Sequence, residues 1–100
     1  MIVQRIVWKV KMGAEDQVVE MLRPYLRDEK NPLRRLYRPS VSLGSSTFGV
    51  IVGEFEFEDL GALQRGWREW LASEDAVEFM PKWNELIESG GGSEVWELVE

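Results

Sequence analysis

The first twelve residues alternate between two kinds of side chain, and this pattern constrains the fold more than any other feature of the chain. In an extended strand, one side would carry mostly apolar residues, namely Ile2, Gln4, Ile6, Trp8 and Val10. The other side would carry Val3, Arg5, Val7 and Lys9. A period of two residues is typical of a β-strand that packs one face against a core. The sequence therefore predicts a strand over residues 1–12 with one strongly apolar face.

The first half of the chain continues with a helix and two strands. An apolar stripe with helical spacing predicts a helix over residues 14–29, with a kink or break just before Pro24. Residues 33–43 are predicted to form a second strand. The stretch 47–57 contains an unbroken apolar run, which is typical of a central strand buried on both faces. Gly44-Ser45-Ser46 would form the turn between these two strands.

Two helical segments and a last strand are predicted in the second half. Asp59 is a candidate N-cap for the first segment, because its side chain can accept a hydrogen bond from the first turn. Ser73 begins the second segment, which Pro81 would divide into two short pieces. Gly90-Gly91-Gly92 would form a flexible break before a short strand over Glu94–Val99. The predicted order of elements is β-α-β-β-α-β, with one additional helical segment.

This order predicts an α+β, ferredoxin-like sandwich built as a single domain of residues 1–100. Two right-handed βαβ units joined by a hairpin give an antiparallel sheet of four strands, with the spatial order 4-1-3-2 and helices on one face. Besides the apolar side of the first strand, the face beneath the helices would carry Gly49, Ile51, Gly53, Phe55, Phe57, Trp96 and Leu98. The opposite face would add Phe48, Val50, Val52, Glu54, Glu56, Val95, Glu97 and Val99.

The face without helices is half apolar and half charged, which is too apolar for a sheet surface left in water. We therefore expect a homodimer in which the open sheet faces of two copies pack together to form a dimeric α/β barrel. Charges at the rim would pair, for example Arg5 with Glu54 or Glu97. The predicted hairpin would also hold cross-strand ion pairs between two sets of residues, Arg34, Arg35 and Arg38 and Glu54, Glu56 and Glu58.

The composition excludes several classes of site. The chain contains no histidine and no cysteine, so it lacks an imidazole base, a thiolate nucleophile and the common zinc ligands. We therefore expect no metal and no cofactor. The net charge of −6 argues against nucleic acid as a partner. No apolar run has the length that a membrane span needs, and the absence of cysteine fits a cytoplasmic protein.

Three segments carry a resemblance to a known group of proteins. They are the opening strand Ile2–Val10 with Lys11-Met12-Gly13, the block Gly53–Leu63, and the aromatic residues Trp67, Trp70, Phe79 and Trp83. In this pattern the chain resembles the dimeric α/β-barrel superfamily, above all its antibiotic-biosynthesis-monooxygenase-like and NIPSNAP-like members. The resemblance implies a barrel formed by two sheets across a dimer, and a pocket between each sheet and its own helices. It also implies activities such as cofactor-free oxygenation of aromatic polyketides, whereas haem-dependent and histidine-dependent branches do not fit a chain without histidine.

Candidate pocket residues are aromatic side chains that could lie between the sheet and the helices: Trp8, Tyr37, Phe55, Trp67 and Trp70. These side chains either wall a pocket or fill the core. Gly49 and Gly53 have the same two interpretations. They could open a trough beneath the helices, or they could let a bulky tryptophan or a helix approach the strand closely.

Three polar side chains also have alternative roles. Tyr37 could position a phenol or carbonyl, and Arg35 could hold an anionic group, if the second strand turns them under the helices. Otherwise Tyr37 is a ladder residue and Arg35 forms a cross-strand ion pair. Gln4 lies among apolar residues and must find hydrogen bonds, either from a ligand or from a neighbouring side chain or water.

Two classes of function remain open. The first is a dimer that binds a small aromatic or apolar molecule between sheet and helices, with cofactor-free monooxygenase-like chemistry as its catalytic form. The second is a non-catalytic structural or protein-interaction module. A continuous cavity of about 300 Å³ or more beneath the helices would favour the first class. An interface filled by tryptophan side chains would count against it.

Overall fold

The fold consists of a four-stranded sheet and three helices in a computed structural model, which describes residues 1–40 and 49–100. The elements are β1 (Ile2–Val10), α1 (Glu15–Arg27), β2 (Leu33–Tyr37), β3 (Val50–Phe57), α2 (Leu60–Leu71), α3 (Glu74–Leu86) and β4 (Ile87–Glu97). The predicted turn at Gly44-Ser45-Ser46, the predicted strand ends within 41–48 and the placement of Phe48 lie outside the described residues. None of the helices described is long and apolar enough to cross a membrane.

The sheet is antiparallel and its strand order is β2-β3-β1-β4, which confirms the predicted ferredoxin-like α+β architecture. Residues paired across neighbouring strands share a face of the sheet. Gln4 pairs with Phe55 and Trp8 pairs with Ile51 on the face beneath the helices. Val7 pairs with Val52 on the open face. The predicted faces of the first and third strands are therefore correct.

The core lies between the sheet and the helices. Val18 of α1, Leu33 of β2 and Ile51 of β3 are its most deeply buried side chains. Phe55, Phe57, Trp83 and Leu86 belong to the same buried cluster. The two helix starts inferred from capping residues are confirmed by hydrogen bonds. The Asp59 carboxylate accepts from the backbone N–H of Ala62 at 2.7 Å, and the Ser73 hydroxyl accepts from that of Ala76 at 3.3 Å.

The facing predicted for the last strand is wrong. Trp96 pairs with Val3, so it lies on the open face, where it is 55% exposed. Val95 pairs with Gln4 and lies on the helix side. Leu98, two residues beyond Trp96, is also exposed. A shift of one position exchanges the two faces of a strand. Hydrophobicity predicted the wrong set of residues beneath the helices, because the open face is itself apolar.

The expected flexible break at Gly90-Gly91-Gly92 is also wrong, because all three glycines lie inside β4. The pairing of β1 with β4 shifts between Val7 and Lys9, next to these glycines. A Cβ atom on Gly91 would lie 2.1 Å from the carbonyl oxygen of Val7. Gly91 is thus needed for a close approach of two backbones at the irregularity, which is a common role of glycine within strands.

Pro24 and Pro81 each lie within a continuous helix. Of the kink or break predicted at Pro24, the break is therefore wrong, and so is the predicted division at Pro81. A proline inside a helix removes one backbone hydrogen bond and leaves a carbonyl without its donor. Pro24 and Pro81 are both exposed, so water can hydrate the carbonyl that loses its partner on that side of each helix.

The hairpin carries most of the ion pairs that were predicted for it. Arg35 lies 3.0 Å from Glu54 and 3.3 Å from Glu56, and Arg34 lies 3.9 Å from Glu56. Arg38 is an exception, because it pairs with Asp16 of α1 at 3.0 Å instead of with a glutamate of β3. These pairs are exposed and each contributes little stability.

The role of Gly91 can be tested with two neighbouring substitutions. Gly91→Ala should lower the free energy of unfolding by about 1–3 kcal/mol, because its Cβ atom would collide with the backbone of β1. Gly92→Ala is the matched control, since a Cβ atom there meets nothing within 4 Å. Urea unfolding followed by circular dichroism measures both. Equal stability of the two variants would contradict the close approach.

Candidate functional site

Six aromatic side chains form a closed cycle between the sheet and the helices. We call this cycle the aromatic ring; its members are Trp8, Phe55, Trp67, Trp70, Phe79 and Trp83. Neighbouring side chains in the cycle have centroids 5.0–6.2 Å apart. Five of the six contacts are edge to face, the arrangement that the quadrupole of an aromatic system favours.

Helical spacing places the four helical members of the aromatic ring. Trp67 and Trp70 lie three positions apart on α2, and Phe79 and Trp83 lie four positions apart on α3. Side chains with these spacings lie on the same face of a helix. Each helix therefore presents two aromatic side chains toward the sheet, where Trp8 and Phe55 complete the cycle.

Gly53 makes room for the sheet side of the aromatic ring. A Cβ atom at this position would lie 2.5 Å from Cη2 of Trp8 and 2.6 Å from its Cζ3. The indole therefore occupies the space that a side chain would need, so the missing side chain serves close packing instead of an open trough. Gly49 lies just before β3, where its carbonyl accepts the N–H of Val10. Neither glycine lines the cavity described next.

The aromatic ring surrounds a cavity of about 260 Å³. Its other lining residues are Ile6, Leu22, Tyr25, Asn31, Pro32, Leu33, Phe57, Gly66, Leu71 and Met80. Among the described residues that line it, none is charged. Leu71 is 59% exposed and marks the mouth. The volume is slightly below the ~300 Å³ at which pockets for drug-sized ligands begin, and well above the roughly 150 Å³ that accommodates benzene, so it suits about two fused rings.

Gln4 forms hydrogen bonds within the chain. Its Oε1 accepts from the indole Nε1–H of Trp67 at 2.6 Å, and its Nε2 donates to the hydroxyl of Ser93 at 3.1 Å. The amide orientation follows from these two partners, since only the oxygen can accept from an indole. Gln4 therefore orients one wall of the cavity and links α2 to β4 through β1, and it does not itself line the cavity.

Trp70 and Tyr25 form the more polar part of the wall. The Nε1–H of Trp70 is buried and has no acceptor with hydrogen-bonding geometry among the described residues. Burial raises the pKa of the Tyr25 phenol above its ordinary value, and the carboxylates of Asp75 and Glu78 act in the same direction. The nearby indole N–H of Trp70 acts in the opposite direction on this pKa. Because the pKa is raised, the stability linked to the protonated phenol is lost as the pH rises through the raised pKa.

Four of the five predicted pocket residues line the cavity: Trp8, Phe55, Trp67 and Trp70. Tyr37 does not, because it pairs with Val52 on the open face. There the centroid of its phenol ring lies 5.9 Å from the guanidinium carbon of Arg5. Arg35 also lies on that face, opposite Glu54. An irregularity in the pairing between Leu33 and Arg35 sets the register that places these side chains.

Sequence reasoning missed four aromatic members of the wall as pocket residues: Tyr25, Phe57, Phe79 and Trp83. Phe57 was expected on the face of the sheet beneath the helices, but not as part of a pocket. Phe79 and Trp83 were expected on the buried side of their helix, and Tyr25 belongs to the apolar stripe of α1. The available signal was their shared helical face. That signal cannot distinguish a cavity wall from solid core, because the difference depends on how the three helices sit on the sheet.

The hydrogen bond between Gln4 and Trp67 can be tested by removing its acceptor. Gln4→Leu should lower the free energy of unfolding by about 1–3 kcal/mol, because it leaves the indole N–H of Trp67 unsatisfied. Ser93→Ala is the control: it removes the other partner of Gln4 at an exposed position, where water can replace it, and should change stability by less than about 0.5 kcal/mol. Denaturant unfolding measures both values. A Gln4→Leu protein as stable as Ser93→Ala would contradict this role.

Solved structures of other proteins share the fold of this chain. No protein-family model matches the chain, and no curated protein matches it. Solved structures do match. An uncharacterized NIPSNAP domain protein from Burkholderia xenovorans superposes with a TM-score of 0.80 at 13% identity, covering 99% of this chain and 95% of that one. A NIPSNAP family protein of unknown function from Agrobacterium tumefaciens superposes with a TM-score of 0.77 at 17% identity, covering 96% of this chain and 86% of that one.

An antibiotic biosynthesis monooxygenase superposes with a TM-score of 0.66 at 18% identity over 100% of both chains. These identities are too low to carry over an activity, so the similarity concerns the arrangement of the backbone. The structural similarity extends beyond the opening strand, the Gly53–Leu63 block and the helical aromatic residues to nearly the whole chain. The chain has the ferredoxin-like fold that NIPSNAP-domain and antibiotic biosynthesis monooxygenase-like proteins share.

Proposed function

We propose that the chain binds a small, uncharged aromatic molecule in the cavity between its sheet and its helices. The observation that carries this proposal is the closed aromatic ring around a continuous space of about 260 Å³ without charged lining residues among those described. Aromatic walls stack against a flat ligand edge to face or face to face, and an apolar ligand loses its contact with water on entry.

The size of the cavity argues against a simple packing defect. Protein interiors contain few spaces larger than a water molecule. At roughly 24 cal/mol per Å³, an empty space of 260 Å³ would cost roughly 6 kcal/mol as an upper bound, since its mouth is open. That cost is comparable with the whole stability of a small domain. A ligand that fills the space would restore the missing contacts.

We extend the proposal to cofactor-free oxygenation as the chemistry that such a cavity could support. One structural neighbour is described as an antibiotic biosynthesis monooxygenase, which motivates this choice. The described lining contains no carboxylate, amine or guanidinium group, so its contribution would be to position the substrate and exclude water. Dioxygen would be the oxidant: a CH₂ group of the substrate would supply four electrons and become a carbonyl, with one oxygen atom entering the product and the other leaving as water. Binding without turnover would leave the binding proposal intact and remove this extension.

The cavity proposal can be tested with naphthalene as a probe. In ¹H–¹⁵N spectra, the indole N–H signals of Trp8, Trp67, Trp70 and Trp83 should shift on addition of naphthalene. The signal of Trp96, on the open face, should not shift. Leu22→Trp fills the cavity and should weaken binding at least about tenfold. Leu60→Trp is the matched control at an exposed position on α2 that does not line the cavity.

Three results would argue against the binding proposal. One is a protein whose indole signals do not respond to naphthalene. Another is a uniform shift that includes Trp96. The third is equal weakening of binding by Leu22→Trp and Leu60→Trp.

We further propose that two copies of the domain of residues 1–100 associate through their open sheet faces. This face carries Val7 and Val52 side by side, and Trp96 and Leu98 are each more than half exposed. A patch of this kind commonly marks an association surface. The charged Arg5 lies 4.0 Å from Glu54 on the same face, so the apolar centre is accompanied by paired charges. A cytoplasmic setting is a separate proposal that rests on the absence of cysteine.

The association can be tested with a charge placed in the centre of the open face. Val52→Asp should convert a particle of twice the 11.6 kDa chain mass into one of 11.6 kDa, because a carboxylate would be buried without a partner. Val77→Asp is the matched control, since Val77 is 73% exposed on α3. Sedimentation equilibrium measures the mass. A dimer that survives Val52→Asp, or a wild-type chain that is monomeric at high concentration, would contradict the proposed interface.

A further inference from the structure

Among the described residues that line the cavity, Tyr25 is the one whose side chain carries a hydroxyl group. Its side chain packs edge to face against Trp70 and Phe79, with centroid distances of 6.1 Å and 5.5 Å. It thus lies beside the aromatic ring and lines the same cavity. Among the described residues the hydroxyl completes no hydrogen bond, although the indole N–H of Trp70 is close enough to influence its titration.

The buried N–H of Trp70 makes the Tyr25 hydroxyl a suitable donor. A phenol oxygen that accepts from an indole N–H keeps its own O–H available for another acceptor. A small adjustment that completes the Trp70–Tyr25 hydrogen bond would satisfy a buried donor that lacks an acceptor among the described residues. An acceptor on a ligand would then end a chain of two hydrogen bonds, and hydrogen bonds in such chains strengthen one another.

The charges around this corner restrict the kind of acceptor. No arginine or lysine occurs among the described lining residues. Asp75 and Glu78 of α3 are near enough to Tyr25 to disfavour its phenolate. A carboxylate on a ligand would meet the same repulsion and would also lose its hydration in an apolar cavity. The corner therefore favours an uncharged acceptor such as a carbonyl oxygen.

We propose that Tyr25 determines the specificity of the cavity by donating a hydrogen bond to an uncharged carbonyl oxygen on an aromatic ligand, with the indole N–H of Trp70 behind it. This inference rests on the proposed function, because it names the ligand class of the same cavity. It assigns aromatic ketones and related neutral carbonyl compounds to the site in preference to hydrocarbons or aromatic acids.

Two probes of the same shape test the inference. 1-Tetralone carries a carbonyl where tetralin carries a methylene group, and both are bicyclic. Titrations followed by the indole N–H signals give the dissociation constants. The wild-type chain should bind 1-tetralone about 3- to 10-fold more tightly than tetralin, as one neutral hydrogen bond predicts. 1-Naphthoate should bind more weakly than either.

Tyr25→Phe keeps the aromatic side chain and removes only the hydroxyl. This variant should lose the preference for 1-tetralone through weaker binding of the ketone, while tetralin binds as before. Tyr37→Phe makes the same chemical change on the open face and should keep the wild-type preference. An indole N–H spectrum that matches the wild type shows that each variant keeps the aromatic ring.

The outcomes distinguish a failure of the proposed function from a failure of the role assigned to Tyr25. If neither 1-tetralone nor tetralin binds, the proposed function fails, and the inference fails with it. If both bind but the wild type does not distinguish them, or if Tyr25→Phe keeps the preference, the role of Tyr25 is overturned while the binding cavity stands. Binding of 1-naphthoate as tight as that of 1-tetralone would overturn the assignment to uncharged ligands.

Discussion

The contact between the Trp8 indole and the backbone of Gly53 is the constraint on which the cavity depends. Because Gly53 has no side chain, the Trp8 indole can lie close to β3, where it contacts both Phe55 on the neighbouring strand and Trp83 on α3. Without this approach the aromatic ring would be open between the sheet and the last helix. The largest side chain of the first strand thus fits because the residue beside it has none, and the two positions act as one unit.

The two tryptophans of α2 differ in whether their indole N–H groups have a hydrogen-bond acceptor. The indole N–H of Trp67 has its acceptor in Gln4, which is in turn held by Ser93, so this wall is oriented by the chain itself. Within residues 1–40 and 49–100, the indole N–H of Trp70 has no such partner. Buried donors are normally satisfied, so this exception beside a cavity and a tyrosine is the feature on which the proposed ligand contact rests.

Strong local patterns in the sequence predicted much of this structure. The order of elements along the chain, with right-handed βαβ connections, is enough to derive the strand order. The alternation in residues 2–10 and the residues leading to Phe57 are enough to derive both faces of the two central strands. The side of the sheet on which Trp96 and Tyr37 lie could not be derived, because strand phase depends on irregular pairing near Gly91 and Arg35. Because the open face is also apolar, the difference in polarity that normally shows which side of a strand faces the core is missing here.

Only part of the site could be predicted, because the sequence does not contain the distances between elements. Trp8, Phe55, Trp67 and Trp70 could be identified because their spacings turn them toward one another. Whether those side chains meet in a solid core or enclose a space depends on distances between elements, which no spacing along the chain contains. Tyr25 was visible only as one apolar position of a helix, and its polar role appears once Trp70 lies beside it.

The aromatic ring is assembled from segments that lie far apart in the sequence, since Trp8 and Trp83 are in direct contact. An unfolded or partly folded chain therefore has no site, and any occupant of the cavity binds the native state alone. By linkage, an occupant at about 100 times its dissociation constant adds roughly 2.7 kcal/mol to native stability. For a domain of this size, such a gain is a large share of the total, so if the proposed binding holds, the persistence of the fold in a cell would follow the supply of the bound molecule.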